Sequence, residues 1–266
     1  MKIKPILTLS AIFTSILGFA QQPDWEALAK ESKKTEVYEP VPPIVTPGDL
    51  STEAPSDAII LFDGKNLDKW RYDRPNNPET WKVDNGILTV NKKAGGLTTK
   101  DEYMDYQLHL EYRIPEDITG EGQSRGNSGI FLAYLGLDES GLFEEGYEIQ
   151  ILDNYNNETY VNGQVGSIYK QSIPLANAAK KPGEWQTYDI VWKAPRFMRD
   201  GSLLSPASIT ALHNGVLVQN NYELKGITPW IGQPSYRKHG ASPIRLQAHG
   251  DPSEPISFRN IWLREL

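Results

Sequence analysis

Residues 127–153 read NSGIFLAYLGLDESGLFEEGYEIQILD, and the alternation inside them decides the fold. Two runs of strand character are joined by an acidic loop that carries glycine. In the second run Tyr147, Ile149 and Ile151 alternate with Glu148 and Gln150. A strand of period two sends Glu148 and Gln150 to one face and the apolar residues to the other. A carboxylate and an amide opposite an apolar face suit the lining of a sugar-binding groove. They suit equally the wetted side of an ordinary antiparallel sheet.

Outward from this stretch the same period recurs. Upstream, Tyr106, Leu108, Leu110, Tyr112 and Ile114 alternate with Gln107, His109, Glu111 and Arg113, and Pro115 ends the run. Downstream, Tyr188, Ile190 and Trp192 alternate with Asp189 and Val191, and Ile244, Leu246 and Ala248 alternate with Arg245, Gln247 and His249. Asn85-Gly86 and Asn214-Gly215 sit between short apolar runs, the strongest local hairpin signal. Residues 59–62, 166–169 and 256–263 read as further strands. No long amphipathic helix pattern follows residue 58. Many short strands with regular turn signals predict an all-β fold, a sandwich or jelly roll.

The flanks set the domain organisation. Residues 1–20 carry Lys2 and Lys4, then an apolar run ending Gly18-Phe19-Ala20, the pattern of a cleaved signal peptide. The run is short for a membrane span of ~20 residues. Export to the periplasm or beyond is therefore expected, with no membrane insertion once the leader is removed. Residues 21–57 form a proline-rich entry segment with one short helix expected over residues 25–34, capped by Asp24. Residues 58–266 form the single domain. Removing the leader takes away two lysines, so the formal charge moves from -7 to -9, with 25 Lys+Arg against 34 Asp+Glu. Such an acidic chain argues against nucleic acid, whose phosphates need basic neutralising groups. The sequence holds no cysteine, which excludes disulfides, thiol nucleophiles, thiolate metal sites and a lipoprotein anchor.

Seven motifs occur in a fixed order: LFDGKNLDKW (61–70), GGLTTKDEYMDYQLHLEYRI (95–114), RGNSGIFL (125–132), YEIQILDN (147–154), PGEWQTYDIVW (182–192), HNGVLVQNN (213–221) and FRNIWLREL (258–266). Each is weak alone, but the ordered set resembles the 3-keto-disaccharide hydrolase family over residues 59–266. The resemblance implies a concanavalin A-like jelly-roll sandwich of two curved antiparallel sheets with a ligand groove on the concave face. It also implies chemistry on 3-keto-glycosides. A ketone at carbon 3 acidifies the hydrogen on carbon 2. A general base removes that proton, the enolate expels the group on carbon 1, and water then adds.

This chemistry asks for a base, an acid and donors for the enolate oxygen. Glu148 is the first candidate acid or base, and His249 a proton shuttle on the same face as Gln247 and Arg245. Asp153, at the strand end, is either a second catalytic carboxylate or a turn residue bonded to nearby N–H groups. Arg125 is a candidate to polarise the ketone or a partner for an acidic group. Asn127, Gln150, Gln247 and Tyr169 are the candidate sugar-binding residues. Glu148, Asp153 and His249 have the donor types for a divalent metal ion, although no compact ligand motif supports one. A direct two-carboxylate glycosidase is the competing mechanism. Gln150 stands two residues after Glu148, so a second carboxylate would have to come from Asp153, Glu144 or Glu145. His109 reads as a surface or groove residue, and His213 and His239 as loop residues. The other class of function is a lectin-like carbohydrate-binding module without catalysis, since a jelly roll does not fix activity.

Overall fold

The alternating runs pair into antiparallel sheets. The structure, a computed structural model, describes residues 22–73 and 76–266, so the expected leader at residues 1–20 lies outside the described residues. In chain order the strands are β1 Ile59–Phe62, β2 Trp70–Tyr72, β3 Lys82–Asp84, β4 Ile87–Thr89, β5 Leu97–Thr99, β6 Tyr106–Arg113, β7 Ser128–Leu137 and β8 Glu144–Ile151. They continue with β9 Trp185–Lys193, β10 Arg196–Phe197, β11 Leu203–Ser205, β12 Ser208–His213, β13 Val216–Glu223, β14 Arg245–Leu246 and β15 Ser257–Glu265.

An eight-stranded sheet runs β13-β12-β9-β6-β15-β4-β3, with β1 also paired to β15. A five-stranded sheet runs β2-β5-β14-β7-β8, and β10-β11 form a separate ribbon. The two sheets stack as a concanavalin A-like jelly-roll sandwich. The hairpins close where Asn-Gly pairs predicted them. Asn214 and Gly215 take φ of 52° and 77°, the left-handed pair that a two-residue turn between right-twisted strands requires.

The core lies between the sheets. Leu110, Tyr112, Ile190 and Trp192 come from the larger sheet, and Tyr147, Ile149 and Ile151 from the smaller, all fully buried. Each large apolar side chain buried in this way contributes roughly 1.5–3 kcal/mol. Hydroxyls pin one layer to the other. Tyr106 donates to the carbonyl of Leu132 at 2.6 Å, and Tyr188 to the carbonyl of Gln150 at 2.7 Å. A tyrosine of the larger sheet thus fixes the height of the strand that carries Gln150.

The chain separates into a unit ending at Ile44 and a second, Val45–Leu266. The first contains the helix α1 Trp25–Ser32, and Asp24 accepts a hydrogen bond from the Ala27 amide at its start. The second contains the sandwich together with the end of the proline-rich segment. There the Thr52 carbonyl accepts from Asn260 Nδ2 at 2.7 Å and from Trp262 Nε1 at 3.1 Å.

Four local expectations change. His109 is not a surface or groove residue: it is fully buried on the outer face of the larger sheet, stacked on Trp262 at 5.1 Å and 2.7 Å from Asp189. Parity gave its face correctly, but not the side chains that cover that face. His213 is not in a loop. It ends β12 and sits in the core against Tyr112 and Tyr188. Residues 166–169 form no strand, and Ile168 makes only isolated bridges to Ile149 and Ser172. The run at 244–249 keeps only Arg245 and Leu246 as ladder strand, with the Gln247 amide donating to the Gly129 carbonyl at 3.0 Å.

Candidate active site

The polar face of β8 lies under a cavity of about 510 Å³, within the size range of small-molecule sites. Its floor is the β7–β8 pair, in register Gly129↔Gln150 and Phe131↔Glu148. Glu148, Gln150, Asn127, Gln247, His249 and Tyr169 all line it. Six of the eight residues that the sequence put forward therefore meet in one place, although they span more than a hundred positions of the chain.

Glu148 is 5% exposed, and its side chain accepts no hydrogen bond from a described residue. Burial above all, then the neighbouring Glu144 carboxylate, push its pKa well above the ordinary value, with Arg245 pulling the other way. Burial therefore favours the protonated form of the carboxyl. Its position depends on an absent side chain. A Cβ on Gly129 would come within 1.9 Å of Glu148 Oε1, so only glycine leaves room for the carboxyl across the ladder. The backbone of Glu148 is held from both sides. Its amide donates to Thr228 Oγ1 at 3.0 Å, and its carbonyl accepts from the Tyr169 amide at 3.1 Å.

His249 stands at the cavity wall with a side chain 38% exposed. Its Nδ1 lies 2.9 Å from Asp251 Oδ2. Burial opposes ionisation of Asp251, but His249, Ser253 and Lys92 together hold its carboxyl well below the usual range. Lys92 Nζ reaches Asp251 Oδ1 at 3.0 Å, and Ser253 donates to that same oxygen. The Asp251 amide also reaches Nδ1, at 3.3 Å, but the shorter contact to an ionised Asp251 favours Nδ1–H, which leaves Nε2 as the basic nitrogen of the ring. This arrangement orients a general base in the same way as a carboxylate–histidine pair.

Amides and phenols fill the remaining wall. Gln150 Nε2 donates to Asn127 Oδ1 at 3.0 Å, and Asn127 Nδ2 donates to the Gln123 carbonyl at 2.8 Å. The hydroxyls of Tyr160 and Tyr169 are 2.8 Å apart. Two O–H groups share one internal bond, so one proton is left to donate to a ligand. Phe143 and Trp230, with ring centroids 5.3 Å apart, form an apolar rim.

Arg125 and Asp153 do not line this cavity. They pair with one another at 2.6 Å, and Asp153 also accepts from the Tyr155 amide at 3.1 Å. Asp153 is 1% exposed, and the pair ties the glycine loop before β7 to the end of β8. Glu148, Asp153 and His249 consequently do not converge. Among the described residues no group of three or more His, Asp or Glu is arranged to hold a metal ion, so no step is assigned to one. Glu144 does line the cavity, but its oxygens are committed to Arg245 Nη2 at 2.5 Å and Gln247 Nε2 at 2.7 Å. Glu145 pairs with Arg237 at 2.6 Å. Neither is placed as a free second carboxylate for double displacement.

Sequence reasoning missed Asp251, Tyr160, Gln123 and Thr228. Asp251 follows His249 by two positions, and a carboxylate that close to a histidine at a strand end was the available signal. Tyr160 and Gln123 come from loops without periodicity.

The jelly-roll sandwich with a polar cavity on its smaller sheet occurs here in a chain whose family match and relatives place it in the carbohydrate-active class. The family model for the 3-keto-alpha-glucoside-1,2-lyase-like domain matches residues 57–264, and the chain belongs to that family. A Parabacteroides distasonis ATCC 8503 protein described as a candidate glycosyl hydrolase is 56% identical over 88% of this chain and 96% of its own, with a TM-score of 0.79. A second protein of that organism with the same description is 25% identical, covers 79% of this chain and 99% of its own, and has a TM-score of 0.55. A third, at 20% identity, covers 79% and 94% with a TM-score of 0.58 and shares the fold. No curated protein matches.

Proposed function

We propose that this protein cleaves 3-keto-glycosides by proton abstraction at carbon 2, elimination of the carbon 1 substituent and hydration of the product. The observation that carries this reading is the pairing, in one cavity, of a buried carboxyl with an imidazole whose Nδ1 lies against the Asp251 carboxylate. Such a pair supplies an acid and a base whose environments push them apart.

His249 Nε2 takes the proton from carbon 2, and the electron pair moves into the bond between carbons 2 and 3, leaving charge on the ketone oxygen. The second N–H of Gln150, which reaches Gln123 Oε1 only at 3.5 Å, is the donor for that oxygen. When the ketone re-forms, a double bond forms between carbons 1 and 2 and the bond from carbon 1 to the leaving oxygen breaks. Glu148 gives that oxygen its proton. The enzyme then holds an imidazolium and a carboxylate. In hydration Glu148 removes a proton from water, whose oxygen bonds to carbon 1, and His249 returns its proton to carbon 2. Both groups regain their starting states. The export-signal pattern of residues 1–20 fits an extracellular or periplasmic setting for this reaction.

The test is incubation with 3-keto-glucosides and with the unmodified glycosides, following released sugar. The expected result is release from the keto-sugars alone, falling by about 10²–10⁴-fold in Glu148→Gln. Binding without release from any substrate would move the protein to the lectin-like class.

A further inference from the structure

The β7–β8 register gives the cavity a direction. Gly129 pairs with Gln150 and Phe131 with Glu148, and further along the ladder Tyr134 pairs with Gly146 and Leu137 with Glu144. The Glu148 carboxyl leans over Gly129, so it stands between two halves of different character. On the Gly129 side the lining is polar: Gln150, Asn127, Gln123 and His249. On the Phe131 side, over ~13 Å of strand toward Glu144, it is Phe131, Leu142, Phe143 and Trp230. This apolar half is held in place. Asp138 accepts from the amides of Leu142 and Phe143, both at 3.1 Å, which folds the loop after β7 against the cavity. The Trp230 carbonyl accepts from Lys170 Nζ at 2.6 Å. Leu142 and Trp230 are exposed, although apolar. The two polar side chains of this half are already committed. Thr228 Oγ1 accepts from the Glu148 amide at 3.0 Å and donates to the Gly146 carbonyl at 3.1 Å, and Glu144 is taken up by Arg245 and Gln247.

We propose that the apolar half is an aglycone site and that the glycosides this protein cleaves carry an aromatic aglycone. The inference rests on the reaction proposed above and names its leaving group. The keto-sugar ring lies where Gln150 and Asn127 offer hydrogen bonds and His249 offers the base. Glu148, at the boundary, meets the oxygen on carbon 1. What that oxygen carries therefore extends away from the polar half, past Phe131 toward Trp230. A flat ring there buries its faces and edges against Phe143, Trp230 and Leu142. A second sugar would bring hydroxyls to a half whose polar side chains are already bonded, and those hydroxyls would lose water without replacement.

The experiment compares methyl 3-keto-glucoside, benzyl 3-keto-glucoside and a 3-keto-disaccharide. All three expel an alkoxide, so the comparison reads contact with the aglycone rather than the ease of expelling a phenol. The expected result is a kcat/KM on the benzyl substrate about tenfold or more above the other two, the scale of burying one aromatic ring. Trp230→Ala should bring the benzyl-to-methyl ratio to within about twofold of one, and Trp230→Phe should keep most of it. Thermal melts verify that both variants, at an exposed loop position, remain folded. A ratio near one in wild type, a preference for the disaccharide, or a ratio that Trp230→Ala leaves intact would overturn the site. If wild type turns over none of the three, the reaction fails separately, and calorimetry with unmodified benzyl and methyl glucosides decides the site. Tighter benzyl glucoside binding that Trp230→Ala abolishes supports it, and equal binding of the two overturns it.

Discussion

Two buried polar clusters lie on different sheets of this sandwich and are built in opposite ways. On the outer face of the larger sheet, His109 meets Asp189, and Glu111 accepts from Arg259 Nε at 2.7 Å and Asn260 Nδ2 at 3.0 Å. The Thr52 carbonyl accepts from Asn260 and Trp262 above them. In the cavity of the smaller sheet, Glu148 is buried without an ionic partner of its own, and Gln247 Oε1 is buried without a hydrogen bond. Closed clusters rigidify a fold, whereas an open one keeps groups available at a cost in stability. The first cluster holds the N-terminal strap of the domain on the sheet, and the second is where chemistry can occur.

The comparison is broken most severely by removing the working groups of the open cluster. His249→Gln and Glu148→Gln are each expected to lower turnover of a 3-keto-glycoside by about 10²–10⁴-fold, with the protein folded. Steady-state rates alongside melting curves measure this. Gly129→Ala acts without touching a polar atom. The added methyl displaces the Glu148 carboxyl, and a shift of about 1 Å is expected to cost on the order of 10²-fold in kcat. A much smaller effect would mean that Glu148 can relocate.

The closed cluster should respond in stability alone. Glu111→Ala leaves Arg259 without its carboxylate, but the Arg259 side chain is 41% exposed and can return to water. A loss of about 2 kcal/mol in denaturant unfolding is expected, with turnover retained. A loss of activity without loss of stability would join the two regions.

The pH dependence of stability carries two contributions of opposite sign. His213 is buried with its pKa lowered to about 3 by desolvation first and Lys180 second. The unfolded chain binds a proton there that the folded chain refuses, so stability falls as pH drops below about 6.5, the ordinary histidine value, toward 3. Glu148 is raised, so the folded chain keeps a proton that the unfolded chain releases. Its burial therefore lowers stability progressively as pH rises above about 4.5, the ordinary glutamate value. Glu148→Gln removes that penalty. It should melt higher than wild type at pH 7 and match it near pH 4.

Much of this was legible in the sequence because period two is a strong signal. The alternation of β6, β8 and β9 gave the sandwich, and the parity of Glu148 with Gln150 and of Gln247 with His249 gave half the cavity. Parity names a face but not its cover. His109 read as open because its cover, Trp262 and Asn260, comes from a strand more than a hundred and fifty positions on and is itself held by the Thr52 carbonyl. Arg125 and Asp153 have site-like chemistry, and their pairing with one another emerges only when the loop before β7 folds onto the end of β8. Asp251 left only its nearness to His249 as a signal, because the contact depends on a turn that points the carboxylate back at the ring.

The central claim is the division of labour between His249 as base and Glu148 as acid. Proton exchange at carbon 2 of a 3-keto-glucoside in deuterated water, followed by NMR, separates the two steps. Glu148→Gln should still exchange the carbon 2 hydrogen while releasing no leaving group, and His249→Gln should do neither. Exchange that persists in His249→Gln and vanishes in Glu148→Gln would contradict the account.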